Sequence, residues 1–114
     1  MSAEKLVSEE TYVCAAIARV LEEAGIEMVF GVHGGHTGRI FQALNAYQNT
    51  IRTLLLREES LAGVMAEAYG RLTRKPGVLM GQGMWVLGNG IIGIMEAKLS
   101  SSPAFRSDTA QYAI

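Results

Sequence analysis

Apolar residues along this chain alternate between stripes with helical spacing and short continuous runs that are typical of buried strands. The predicted elements, in chain order, are a helix from Ser8 to Ala24, a strand over Met28–Val32, a helix capped by Thr37, a strand over Ile51–Leu56, a helix over Ser60–Leu72, a strand over Val78–Gln82 and a helix from Leu87 or Asn89 to Leu99. We expect Gly25 to end the first helix in a left-handed conformation.

The regular alternation of helices and strands predicts an α/β fold. We expect doubly buried strands in a parallel sheet with helices on both faces, as in a flavodoxin-like three-layer sandwich. After Pro103 the pattern requires a fourth strand, but Ala104–Thr109 is poor in apolar residues. The chain, residues 1–114, is therefore predicted to be a single, incomplete domain that is truncated at its C-terminus.

Composition excludes several classes of protein. The chain has 114 residues, of which 49% are hydrophobic, and a formal net charge of -1, which gives no reason to expect nucleic acid or an anionic membrane as a partner. Cys14 is the only cysteine, so no internal disulfide is predicted. The polar, acidic start does not read as a secretory leader, and the apolar stretch over residues 84–95 is too short to span a bilayer. We expect a cytoplasmic protein.

Three strand-to-helix turns are expected to meet at one edge of the sheet, where ligands bind in open α/β folds. They are His33–His36, Arg57–Glu59 and Gln82–Trp85. A carboxylate beside apolar surface can take part in acid–base chemistry, so Glu58 and Glu59 are candidates. The alternative is that both simply favour the positive end of the following helix dipole. The glycines of the first turn do not form the dinucleotide fingerprint.

Other side chains in these turns give weaker signals. His33 and His36 supply only two ligands, whereas a catalytic zinc needs three from the protein, so no metal site is predicted. Trp85 could pack in the core or form one wall of a pocket, and packing is the favoured interpretation.

Several motifs resemble those of the acetolactate synthase-like, thiamine diphosphate-dependent enzymes. The resembling segments are Val29–Gly35 (V-F-G-x-P-G-G in the family), Leu56–Glu59 (V-R-H-E), Met65–Arg71 (M-A-E-G-Y-A-R), Lys75–Val78 (K-P-G-V) and Asn89–Ala97 (N-x-x-x-G-I-A-D-A). They occur in the right order over roughly Thr11 to Pro103. The resemblance is to the first part of the family's N-terminal, pyrimidine-binding domain.

The resemblance implies a role in a 2-keto acid carboligase or decarboxylase that uses thiamine diphosphate. Glu59 corresponds to the family's catalytic glutamate, which hydrogen-bonds N1′ of the aminopyrimidine and helps the 4′ nitrogen to take the C2 proton of the thiazolium. The residues assigned to cofactor binding are His33, Gly34, Gly35, Gln82, Trp85 and Asn89.

Three departures from the family pattern bear on activity. Glu58 replaces a histidine, which should raise the proton affinity of the pair if both carboxylates face inward. His33 replaces a proline. Residues 83–89 replace the S-G-P-G-A-T-N turn, keeping its asparagine but bringing in the bulky Met84-Trp85-Val86, which could narrow the cofactor cleft.

The resemblance also implies a missing half. In the family a C-terminal domain with a G-D-G…N motif holds the diphosphate and its Mg²⁺ across a dimer interface. Nothing in this sequence resembles that motif. We therefore expect no activity from this chain alone, and a homodimer, a tetramer or a partner chain. Two alternatives remain: a non-catalytic dimerisation module, favoured by the altered turn, and a flavodoxin-like nucleotide-binding domain.

Overall fold

The computed structural model describes residues 10–109, so the cap predicted at Ser8 lies outside the described residues. The helices are α1 (Val13–Glu23), α2 (Gly38–Leu44), α3 (Glu59–Thr73), α4 (Gly83–Gly88) and α5 (Ile91–Leu99), with a 3₁₀ turn over Asn45–Tyr47. The strands are β1 (Met28–Gly31), β2 (Arg52–Leu55), β3 (Gly77–Gln82) and β4 (Ala104–Thr109). None of the described helices is long and apolar enough to cross a membrane.

The strands form one parallel sheet in the order β2-β1-β3-β4. Successive side chains of a strand point to opposite faces, so the central strands feed two cores. Val29 and Val78 pack with α1 and α2 on one face, whereas Phe30 and Leu79 pack with α3 and α4 on the other. The predicted α/β fold with helices on both faces is confirmed. Gly25 has φ 75° and ends α1 as predicted.

The prediction that no good strand follows Pro103 is wrong. β4 pairs with β3 in parallel along its whole length, from Ala104 to Thr109. The side of β3 that faces away from β1 carries backbone N–H and C=O groups that need partners. Backbone pairing satisfies these groups whatever the side chains are, so tertiary context overrides the poor strand propensity of this segment.

The prediction that the strand around Leu54 is buried on both faces is also wrong. All four residues of β2 are exposed, and Leu55 keeps 55% of its surface accessible. The reason is position, because among the described strands β2 pairs with β1 alone and lies at the edge of the sheet. Ile51, just before β2, is fully buried and anchors this edge.

The third correction concerns the predicted single helix that starts at Leu87 or Asn89. The chain becomes helical directly after β3, at Gly83, and a second helix starts at Ile91. Met84 to Leu87 contain no residue that opposes a helix, so nothing maintains an extended loop there. The break falls at Asn89 and Gly90, which favour caps and turns.

Helices α3 and α5 approach each other through glycine. A side-chain carbon built at Gly93 would overlap the backbone carbonyl of Gly63, and one built at Gly63 would lie 2.7 Å from the carbonyl oxygen of Gly90. The two helix backbones are therefore in direct contact. Position 93 has no room for a larger residue unless α5 moves.

A polar network joins α3, α5 and the segment that leads into β4. Glu67 is buried, and its Oε1 accepts hydrogen bonds from Arg71 Nε at 2.9 Å and from Ser102 Oγ at 2.8 Å. Arg71 Nη2 also donates to Glu96 Oε1 at 2.9 Å and to Ser100 Oγ at 2.8 Å. Since a buried carboxylate is costly without partners, this network fixes the position of the α5–β4 connection.

We predict that the protein loses stability below about pH 4.5, partly through two surface carboxylates. The pKa of Glu96 is lowered from its ordinary value of 4.5 by hydrogen bonds from Ser100 and Arg71, and that of Glu27 by Lys75. A lowered folded-state pKa gives stability that is present above the unfolded value and is lost as the pH falls through the folded value. Both sites are exposed, so the effect is small and weakens with salt.

The measurement is urea unfolding across pH 2 to 7, roughly the range that spans this loss. The double variant Glu27→Gln/Glu96→Gln should show a shallower fall in unfolding free energy than the wild type. Parallel profiles for the two proteins would contradict the assignment.

Candidate functional site

The three predicted turns do meet at the carboxyl edge of the sheet. Beyond the ends of the strands, Val32 N donates to Met80 O at 3.1 Å and Leu56 N donates to Gly31 O at 2.8 Å. These bonds extend the parallel pairing of β1, β2 and β3 beyond the strand ends, so the three strands end at the same edge of the sheet. Each chain segment then turns into its helix. The turns therefore form one continuous surface.

Glu59 is the first residue of α3 and is partly buried. Its Oε2 accepts a hydrogen bond from Asn89 Nδ2 at 3.2 Å. Its position at the helix N-terminus favours a negative charge through the helix dipole. Within the described part of the chain no hydrogen bond reaches Glu59 Oε1, so this carboxylate is oriented through one oxygen and has the other available to a ligand.

Glu58 has different surroundings from Glu59. It is the residue before α3, has an extended backbone (φ −152°, ψ 153°) and is exposed. Its carboxylate accepts a hydrogen bond from Ser60 Oγ at 3.2 Å. The expectation of raised proton affinity required both carboxylates to face inward, and Glu58 does not meet that condition.

The glycine turn is held by Thr37, which is fully buried. Thr37 Oγ1 accepts a hydrogen bond from Gly34 N at 2.8 Å and donates to Gly34 O at 3.3 Å. Although Thr37 precedes α2, its side chain does not cap that helix, so its predicted capping role is wrong. The hydroxyl bonds back into the turn instead, as threonine often does in loops.

Gly34 and Gln82 lie in direct contact, which connects the first turn to the third. A side-chain carbon at Gly34 would overlap Gln82 Oε1, whereas one at Gly35 would have no atom within 4 Å. A larger residue at position 34 would displace the Gln82 side chain. Gly35 leaves open space on the surface beside it.

His33 and His36 are both exposed. The ring of His33 stacks on Phe41, with centroids 6.4 Å apart and an interplanar angle of 28°. This contact places the His33 ring against a residue of α2. In the residues that the structure describes, no three histidine, cysteine, aspartate or glutamate side chains lie together in an arrangement that could hold a metal ion.

The third turn is the short helix α4. Val86 is fully buried over Gly81, and a side-chain carbon at Gly81 would overlap Val86 and lie 3.4 Å from Glu59 Cγ. Met84 and Trp85 point outward and are 76% and 64% exposed. The prediction that Trp85 packs in the core is wrong, because a helical step of 100° turns it away when Val86 faces inward. Of the three bulky residues, Val86 is the one that packs over Gly81, next to Glu59 Cγ.

The comparisons with known proteins agree with this geometry. Residues 12–105 match the family described as thiamine pyrophosphate enzyme, N-terminal TPP binding domain. The chain belongs to this family. Thiamine pyrophosphate and thiamine diphosphate are two names for one compound, so the resemblance drawn from the motifs is confirmed.

Individual family members are similar over part of their length. The chain is 41% identical over 63 residues to a probable 2-ketoarginine decarboxylase from Pseudomonas aeruginosa, covering 55% of this chain and 11% of that protein. It is 36% identical over 67 residues to pyruvate oxidase from Lactiplantibacillus plantarum, covering 59% and 11%. It is 30% identical over 100 residues to acetolactate synthase from Mycobacterium leprae, covering 88% and 16%. The chain thus spans less than a fifth of each of these relatives.

Four of the seven predicted site residues are in contact with each other, as two separate pairs. Glu59 is bonded to Asn89, and Gly34 touches Gln82. The other three predicted site residues are exposed and lie in the same turns: His33, Gly35 and Trp85. Within the described part of the chain none of them is hydrogen-bonded to Glu59.

Sequence reasoning missed three residues that build the site. Thr37 holds the glycine turn, and Gly81 and Val86 seat α4 beside Glu59. A threonine three residues after a glycine is a possible signal for the first, because it can bond back to that backbone. The glycine–valine contact depends on α4, which the pattern does not predict.

A separate groove of about 500 Å³ lies between α2 and the exposed edge strand β2. Its walls come from Phe41, Leu44, Asn45, Gln48, Ile51, Arg52, Thr53 and Leu55. None of the predicted site residues lines it. Its size alone therefore does not make it the site of the family's chemistry.

Proposed function

We propose that this chain holds the aminopyrimidine end of thiamine diphosphate, with Glu59 as its proton partner. The observation that carries the proposal is the half-buried Glu59 carboxylate, fixed at Oε2 by Asn89, at the edge where the glycine turn opens. The residues present fit this half of the cofactor. A carboxylate oxygen can share a proton with a ring nitrogen, and the open space at Gly35 allows a flat ring to approach the backbone.

Each residue then has a defined task. Glu59 Oε1 holds the proton at N1′, and the ring approaches the backbone at Gly35, with Gly34 packed against Gln82 beside it. We assign Gln82, which contacts Gly34, and the exposed Trp85 and His33 to the same end of the cofactor; their positions in the three turns support this assignment. When bound, the cofactor supplies a nucleophilic carbon that adds to the carbonyl of a 2-keto acid.

The described residues do not fit the Mg²⁺ that accompanies the diphosphate. Mg²⁺ takes oxygen ligands in octahedral geometry, often carboxylates together with the phosphates. No cluster of acidic residues suited to a cation occurs within residues 10–104. We propose that a C-terminal domain or a partner chain supplies this half, and that this chain alone is inactive.

The reaction class is proposed from the relatives. Their names specify a 2-ketoarginine decarboxylase, a pyruvate oxidase and an acetolactate synthase. A 2-keto acid substrate, and lyase or transferase chemistry, follow as proposals for the whole protein. A homodimer or tetramer and a cytoplasmic location remain predictions.

Large apolar residues on the outer surfaces of α3, α4 and α5 favour a second candidate, a non-catalytic association module. They are Leu61, Val64, Leu72, Met84, Trp85, Leu87, Ile92, Met95 and Leu99, each at least 45% exposed. Contiguous exposed apolar surface is a mark of protein association. Such association is compatible with the enzymatic proposal, so cofactor binding is what separates the two.

The test is a calorimetric titration of this chain with the pyrimidine half of the cofactor, 4-amino-5-hydroxymethyl-2-methylpyrimidine. This probe has no diphosphate, so it needs no Mg²⁺ site. A ligand of about ten non-hydrogen atoms should bind with a Kd of roughly 1 mM. Absence of binding at tens of millimolar, on the order of ten times that Kd, would leave the association module as the better account.

A further inference from the structure

We infer that Asn89 is a positioning residue that acts through Glu59 and does not itself hold the cofactor. This inference rests on the proposed function of Glu59. Asn89 lies between α4 and α5, and Glu59 begins α3. The bond from Asn89 Nδ2 to Glu59 Oε2, at 3.2 Å, joins two elements that are 30 residues apart in sequence.

The backbone of Asn89 is held before its side chain makes any contact. Asn89 N donates to Trp85 O at 2.8 Å, and Gly90 N donates to Val86 O at 3.0 Å. These bonds close the C-terminal end of α4 and leave Asn89 with φ −102° and ψ −30°. The side chain therefore starts from a fixed point.

The backbone position of Asn89 depends on Val86, which anchors α4. Val86 is fully buried against Gly81, and Gly81 in turn lies next to Glu59 Cγ. A side-chain carbon at Gly90 would lie 2.7 Å from Val86 O, so the chain has room only for glycine after Asn89. The altered turn of this chain forms the short helix α4 and delivers the asparagine amide to the glutamate.

The bond restrains the orientation of the Glu59 carboxylate. An ionised carboxylate only accepts hydrogen bonds, and an asparagine amide supplies a donor of fixed geometry. Because Oε1 accepts no hydrogen bond from the described residues, it is the oxygen that we assign to N1′. Loss of the donor leaves the carboxylate free to rotate, and a misplacement of about 1 Å can cost a catalytic step on the order of 100-fold.

The first experiment tests the contact without cofactor. In ¹⁵N-labelled protein at neutral pH, the Asn89 side-chain amide signals should shift between wild type and Glu59→Leu, which removes the acceptor oxygen. The side-chain amide of Asn49, which is exposed, is the internal control and should not shift. Unchanged Asn89 side-chain signals in Glu59→Leu would overturn the inference.

The second experiment separates positioning from cofactor binding. In the complete enzyme, Asn89→Leu keeps the volume but removes the donor. We expect C2-proton exchange at saturating thiamine diphosphate and Mg²⁺ to fall about 10- to 100-fold. The cofactor Kd should stay within about 2-fold, well under 1 kcal/mol.

The matched control is Gly88→Ala, one residue earlier, where an added carbon has no atom within 4 Å. It should exchange like the wild type. A raised Kd with normal exchange in Asn89→Leu would make Asn89 a direct cofactor contact and overturn the inference. If Glu59→Gln leaves exchange intact, the proposed function fails, and the comparison of Asn89 amide signals still reports on the Asn89–Glu59 contact separately.

Discussion

Replacing Glu59 with glutamine should lower the exchange rate of the C2 proton of bound thiamine diphosphate by about 10²- to 10⁴-fold, the range that general acid–base groups contribute. The substitution keeps the size of the side chain and can still accept a bond from Asn89. What it removes is a group that can hold a proton at N1′. The loss should therefore appear in exchange at saturating cofactor more than in the cofactor Kd.

The measurement needs the diphosphate-binding half, so the complete enzyme is the proper material. A chimaera in which residues 12–105 replace the matching segment of the Mycobacterium leprae acetolactate synthase is a second route, because the similarity to that relative extends over 100 residues. Glu58→Gln is the matched control. Glu58 is exposed and bonded to Ser60, so its exchange rate should equal that of the wild type. Equal losses in both variants would contradict a specific role for Glu59.

The second large effect is on stability. Gly93→Ala should destabilise the fold by about 2–3 kcal/mol, because the added carbon meets the Gly63 carbonyl of α3. Backbone cannot move aside as a flexible side chain can. The better helix propensity of alanine, worth about 1 kcal/mol, offsets only part of this cost. For a domain of this size the melting temperature should fall by roughly 10 °C.

Gly88→Ala makes the same chemical change at the end of α4, where nothing lies within 4 Å of the added carbon. It should leave stability unchanged or raise it by up to about 1 kcal/mol. Urea unfolding of the two variants beside the wild type gives the comparison. A Gly93→Ala protein as stable as Gly88→Ala would show that α3 and α5 are not in backbone contact.

The order of helices and strands could be predicted because apolar periodicity reflects burial, and the burial of β1, β3 and one face of α3 is strong. The misjudged elements are those whose state depends on neighbours. β4 forms because β3 needs a backbone partner, and β2 is exposed because no described strand covers its outer edge. No local pattern contains either fact.

The candidate site was predictable in part. The motifs identified Glu59 and Asn89 separately, and the structure adds the bond between them. The roles of Thr37 and Val86 could not be predicted, since each depends on a contact with residues at another turn or strand position. The exposure of Trp85 follows from α4, which forms in place of the expected loop.

The central claim is that Glu59 binds the aminopyrimidine ring. The most direct measurement is a titration of ¹⁵N-labelled chain with 4-amino-5-hydroxymethyl-2-methylpyrimidine, followed by NMR. The account predicts shifts of the backbone amides at Gly34, Gly35 and Glu59 and of the Asn89 side chain, with loss of binding in Glu59→Leu, which has no group to hydrogen-bond the ring nitrogen. Shifts confined to the groove between α2 and β2, or equal binding by Glu59→Leu, would contradict it.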